Sequence, residues 1–88
     1  MEVEFLSKFS DDLDSISQKS IKAKTLRLIE LFESAKSVSE IPQIKKLTGH
    51  RNAFRIRIGN YRVGIFVEGS KVQFARIIHR KDIYKICP

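Results

Sequence analysis

Ala53-Phe54-Arg55-Ile56-Arg57-Ile58-Gly59-Asn60-Tyr61-Arg62-Val63-Gly64-Ile65-Phe66-Val67 carries the clearest secondary-structure signal in this chain. From Ala53 onward apolar and charged side chains alternate with a period of two, the spacing at which one face of a β-strand is buried and the other solvated. The alternation breaks at Gly59-Asn60 and resumes at Tyr61. Such a pair between alternating runs predicts a two-residue hairpin loop, because both residues tolerate positive φ. Gly69-Ser70 repeats the device ahead of Val72-Gln73-Phe74-Ala75-Arg76-Ile77-Ile78. The expectation is a three-stranded antiparallel meander, with the segment from His79 to Tyr84 leaving the sheet.

A two-residue loop fixes the register. Ile58 then faces Tyr61, Arg57 faces Arg62, Ile56 faces Val63 and Arg55 faces Gly64. Arg55, Arg57 and Arg62 share one face, and like charges directly opposite on a sheet repel unless an anion sits between them. Gly64 beside Arg55 would leave room on that face for a ligand to approach the backbone. Arg76 depends on the second turn: a two-residue loop puts it opposite Val63 on the other face, and a bulge brings it beside Arg62.

Upstream of the sheet the period changes. Val3 and Phe5 alternate with Glu2 and Glu4 as in a short first strand. Phe9, Leu13 and Ile16 then recur three to four apart, with Asp11, Asp12 and Asp14 opposite, which predicts a helix over 7–17. A second helix is predicted over 19–35, carrying Ile21, Leu28, Ile29, Phe32 and Ala35 on its buried face. Ser37, Ser39, Pro42 and Gly49 mark 36–51 as a loop. The predicted class is α+β: an N-terminal strand and an α-helical hairpin packed on an antiparallel β-meander sheet.

Eighty-eight residues suit one domain over 1–88, and 42% hydrophobic against 31% charged residues is the balance of a folded globule. The apolar runs are far shorter than the ~20 residues of a membrane helix, and no basic-then-apolar leader opens the chain, so a cytoplasmic protein with no membrane partner is expected. The single Cys87 precludes a disulfide framework or a cysteine-based zinc site. The net charge of +7 is unevenly placed. Residues 1–44 carry six Lys and Arg against eight Asp and Glu, whereas residues 45–88 carry eleven against Glu68 and Asp82 alone, an excess of +9. Six of those eleven are arginines, which grip phosphate in a planar, bidentate way, so a phosphate-bearing partner is expected.

Neither a Walker loop, a dinucleotide fingerprint nor a His-x-x-x-His pair occurs, and the basic half has too few acids to cradle magnesium. No metal or cofactor is therefore expected. A site of arginines can still cleave a phosphodiester when the substrate brings its own nucleophile, as RNA does in the ribose 2′-OH. The protein then has to orient that hydroxyl, stabilise the equatorial oxygens and protonate the leaving group.

The order of elements resembles the RelE toxins of the RelE/ParE superfamily over nearly the whole chain. The resemblance rests on Ile41-Pro42, Lys45-Lys46-Leu47-Thr48-Gly49, the run Phe54 to Val63, and His79-Arg80-Lys81-Asp82-Ile83-Tyr84. It implies the RelE-like fold and a toxin of a type II toxin–antitoxin system: a ribosome-dependent endoribonuclease that cuts mRNA in the ribosomal A site and inhibits translation. It also implies a cognate antitoxin as partner. The alternative within the superfamily is a ParE-like inhibitor of DNA gyrase that catalyses nothing. By position, Arg62 corresponds to the arginine on the scissile phosphate, Arg80 to the arginine after the last strand and Tyr84 to the tyrosine that stacks on a base. Arg55 and Arg57 fall on a basic pair that is lysine in the best studied members. Arginine does not give up its proton, so the general base stays open among Tyr84, His79 and His50. Lys45, Lys46, Arg51 and His79 complete the expected RNA-binding set.

Overall fold

The computed structural model describes residues 1–49 and 51–81. Its elements follow in the order β1 (Glu2–Phe5), α1 (Ser7–Ser15), α2 (Lys19–Ser34), a 3-10 turn (Val38–Glu40), β2 (Ile44–Lys46), β3 (Ala53–Ile58), β4 (Tyr61–Glu68) and β5 (Lys71–His79). The five strands form one sheet in the order β1-β5-β4-β3-β2. The central β3-β4-β5 meander is antiparallel as predicted, and β1 joins the far side of β5 in parallel.

The turn chemistry sets the register. Gly59 alone of the Gly59-Asn60 pair takes positive φ (56°), the arrangement of a type II′ turn rather than one with both residues left-handed. A Cβ on Gly59 would also meet Ile21 Cδ1 of α2 at 3.1 Å, so the turn tucks directly under the helix. Every pair expected across this turn is present, Arg57 with Arg62 and Arg55 with Gly64 included.

The helices dock on one face of this sheet. In α2, Ile21, Thr25, Leu28 and Phe32 fall at helical spacing and are buried. Thr25 is fully buried and donates its hydroxyl hydrogen to the Ile21 carbonyl at 2.8 Å, which makes a polar residue admissible in the core. Beneath it lie Ile56, Val63, Ile65, Val72, Phe74 and Ile77, all buried. Phe74 is the hub, with Phe9 and Phe32 meeting it edge-on at centroid distances of 5.2 and 5.4 Å.

The first helix closes a gap in the sheet. The last pair between β1 and β5 is Phe5 with Phe74, so residues 75–79 of β5 run on without β1 beside them. The α1 helix packs along β5, and the Asp12 carboxylate accepts the Ile77 N–H at 3.2 Å and both Arg76 Nε and an Arg76 terminal nitrogen at 2.7 and 3.1 Å. A strand's backbone donor is thus satisfied by a helix side chain. Replacing Asp12 by Ala should lower stability by about 2 kcal/mol, since charge-assisted bonds to a half-buried arginine and a backbone amide are lost together. A urea midpoint unchanged from wild type would contradict this.

Four sequence-based expectations need correction. The predicted loop 36–51 contains the 3-10 turn, where the Glu40 carboxylate accepts the Lys36 and Ser37 amides at 2.8 and 3.2 Å, and it contains β2, which pairs antiparallel with β3. The helices end slightly early, at Ser15 and Ser34, with extended backbone at Ile16 and Ala35. His79 has not left the sheet: it is the last residue of β5, opposite Tyr61. Arg76 lies opposite Gly64 although the Gly69-Ser70 loop keeps two residues, because Ala75 bulges out between the Ile65–Phe74 and Gly64–Arg76 pairs.

Candidate phosphate-binding site

On the face of the sheet turned away from the helices, two rows run across the strands. One passes from Lys45 through Arg55 and Gly64 to Arg76; the next holds Arg57, Arg62 and Ile78. Lys45 enters the first row only because β2 pairs with β3, which brings a lysine from the predicted loop directly beside Arg55. Gly64 is buried, so the room expected beside Arg55 is not open surface there.

The side chains of Lys45, Arg55, Arg57 and Arg62, together with Gln43, line an open concavity of about 360 Å³. Arg55 and Arg62 are half-buried and Lys45 and Arg57 exposed. One terminal nitrogen of Arg62 donates to the Tyr61 carbonyl at 3.2 Å, which holds its guanidinium against its own strand. Four cationic side chains converge and none of the described lining residues is acidic, so the concavity attracts anions. Planar guanidiniums on neighbouring strands suit the paired oxygens of a phosphate.

Other members of the expected set are placed apart. Lys46 and Arg51 line a second concavity of about 460 Å³ with Leu47, Thr48 and Gly49. His79 shares its row with Ile58 and Tyr61 on the helix-covered side, meeting the Tyr61 ring edge-on at 5.3 Å, and its Nδ1 accepts the Lys81 N–H at 3.2 Å. It does not share the face of Arg57 and Arg62. Arg80 is exposed just past β5, its N–H donating to the Asn60 carbonyl at 2.7 Å across the hairpin turn. Tyr84 and His50 lie outside the described residues. Among the described residues no group of three His, Cys, Asp or Glu side chains is placed to hold a metal ion, and no helix is long and apolar enough to cross a membrane.

Gln43 was not visible from the sequence as a site residue. It follows Pro42 in a turn and has φ 60°, where Gly or Asn is the usual occupant. It also borders a neighbouring groove of about 370 Å³, walled by Leu28 and Leu31 of α2 with Pro42 and Ile56 and rimmed by Lys24 and Arg27.

A mixed sheet with helices on one face and a cationic concavity on the other defines a small two-layer α+β protein. A family model described as the ParE toxin of the type II toxin–antitoxin system parDE matches residues 3–84. Toxin RelE3 of Methanocaldococcus jannaschii is 38% identical over 89 residues, the full length of both chains. The toxin in the RelB–RelE antitoxin–toxin complex from Methanococcus jannaschii has 36% identity and a TM-score of 0.85, covering 97% of this chain and 99% of that one. The intact Escherichia coli RelBE complex, at 16% identity and TM-score 0.67 over 89% and 94% of the two chains, shares the fold. The chain belongs to the RelE/ParE family of type II toxin–antitoxin toxins.

Proposed function

We propose that this toxin is a ribosome-dependent endoribonuclease that cuts mRNA in the ribosomal A site, acting in the cytoplasm where translation takes place. The supporting observation is the concavity of Lys45, Arg55, Arg57 and Arg62 with no acid among its described lining residues. A bound RNA strand supplies the nucleophile. The ribose 2′-oxygen attacks the adjacent phosphorus, the bond to the 5′-oxygen breaks, and a 2′,3′-cyclic phosphate and a 5′-hydroxyl result. Arg62 neutralises the charge that grows on the equatorial oxygens, and Arg55, Arg57 and Lys45 hold the strand in line. Lys46 and Arg51, in the next concavity, grip the backbone of flanking nucleotides. Arg80 and Tyr84 join Arg62 in the catalytic set that the family resemblance implies, Arg80 as the arginine after the last strand and Tyr84 as the tyrosine that stacks on a base. The place of His79 on the other face of the sheet favours His50 or Tyr84 as the general base.

The partner is a cognate antitoxin, as in the RelB–RelE complex of the archaeal relative. The gyrase-inhibitor reading has one observation in its favour, the ParE description of the matching family model. Brief induction with mapping of mRNA 5′ ends separates the two. Cuts at fixed positions within codons of translated messages are expected; unchanged ends accompanied by DNA damage and filamentation would overturn the nuclease reading.

A further inference from the structure

We propose that Gln43 lets the site select ribose over deoxyribose, by accepting a hydrogen bond from a 2′-hydroxyl of the bound strand. The inference rests on the reading of the concavity as an RNA site and adds a residue to it.

Gln43 is the only non-glycine among the described residues with positive φ; Gly49, Gly59 and Gly69 are the others. A side chain in this conformation is strained, and strained residues of this kind concentrate at functional sites. Its flanks impose the geometry. Ile41 is buried in the core, Pro42 has a fixed φ, and Ile44 is already paired with Ile56 in the sheet. Packing does not account for the residue, because Gln43 is exposed.

Chemistry does account for it. The other lining side chains, Lys45, Arg55, Arg57 and Arg62, carry only hydrogen-bond donors. They satisfy phosphate oxygens and can donate to the lone pairs of a hydroxyl, but none of them can take the hydrogen that a hydroxyl donates. Gln43 Oε1 is the one side-chain acceptor among the described lining residues. A ribose beside a phosphate held by these cations offers such a hydroxyl and a deoxyribose does not, which is how a protein distinguishes the two strands at a given position.

The test uses the isolated protein with a fluorescent single-stranded oligoribonucleotide and the oligodeoxyribonucleotide of the same sequence, titrated by anisotropy. Gln43→Met keeps the size and the strained backbone but removes the strong acceptor; Gln43→Gly removes the side chain and relieves the strain. Wild type should prefer RNA, and both variants should lose about fivefold in RNA affinity with DNA affinity unchanged within about twofold, as one neutral hydrogen bond allows. Gln43→Gly should melt at a higher temperature than wild type, so loss of RNA preference cannot be loss of fold. An RNA-to-DNA ratio equal in wild type and both variants overturns the inference, as does wild-type protein that binds neither strand. Message cleavage on ribosomes is scored separately. A wild type that keeps the ratio but cuts nothing sinks the nuclease reading alone; one that cuts, with a ratio indifferent to Gln43, sinks the role of Gln43 alone.

Discussion

Arg62→Ala should reduce message cleavage and growth inhibition by about 100-fold to 1,000-fold, the range found when one preorganised group facing transition-state charge is removed. Arg62 stands directly across from Arg57, shares the concavity with Arg55 and Lys45, and is held by its bond to the Tyr61 carbonyl. It therefore meets the phosphate already oriented, where a mobile surface arginine would first have to be ordered. Loss of fold is the competing explanation. A single truncation on the face away from the core should cost only about 1 kcal/mol. Arg62→Lys separates charge from geometry, because it keeps the cation and loses the planar fork, and it should fall between wild type and the Ala variant. Thermal melts of all three proteins accompany the cleavage maps. A cooperatively folded Arg62→Ala protein that still arrests growth would remove Arg62 from the chemistry.

The central face of this site was readable because its register depends on local signals. The alternation on either side of Gly59-Asn60 and the two-residue turn leave one alignment that buries Ile56, Ile58, Val63 and Ile65 together, and the arginines fall opposite one another as a consequence. Contributions made across long sequence distances were not readable. Ile44-Lys45-Lys46 has one apolar residue and no alternation, so its strand character comes from pairing with β3. The parallel pairing of β1 with β5 joins residues about seventy positions apart and has no local signature. Asp12 resembles the other acids on the solvated side of α1, and only the end of β1 explains why it binds Arg76 and Ile77. The bulge at Ala75 moves Arg76 to the other face, and its one local sign is Gly64 on the facing strand, a residue type that marks bulges and open approaches alike. Gln43 was hidden for a related reason, since the left-handed turn is forced by the anchoring of Ile41 and Ile44 and glutamine has no preference for it.

Association with the antitoxin should slow by about 10-fold to 100-fold when salt is raised from low to high concentration. The charge excess of +9 over residues 45–88 is concentrated in the half of the chain that supplies β2 to β5, and the concavity with Lys45, Arg55, Arg57 and Arg62 gathers part of it at one place. Such a surface steers an acidic partner at long range, raising association rates well above the roughly 10⁵–10⁶ M⁻¹s⁻¹ of uncharged docking. Salt shortens the reach of that attraction to about 10 Å at 0.1 M and less above it. A contact that persists at high salt would have to be apolar, and the groove next to the concavity offers such surface in Leu28, Leu31, Pro42 and Ile56, with Lys24 and Arg27 at its rim. An amphipathic helix with acidic flanks fits that description, and a strand added at β2 or β1 is the other geometry the exposed sheet edges allow. In both cases dissociation depends mainly on buried apolar contact and association mainly on charge. Stopped-flow measurements should therefore show the rate of association falling steeply with salt and the rate of dissociation changing little. Charge reversal at Lys45 and Arg57 should lower association at low salt and leave the two proteins nearly equal at high salt. An association rate that stays constant across ionic strength would sink the electrostatic part of the argument even if the complex proved tight.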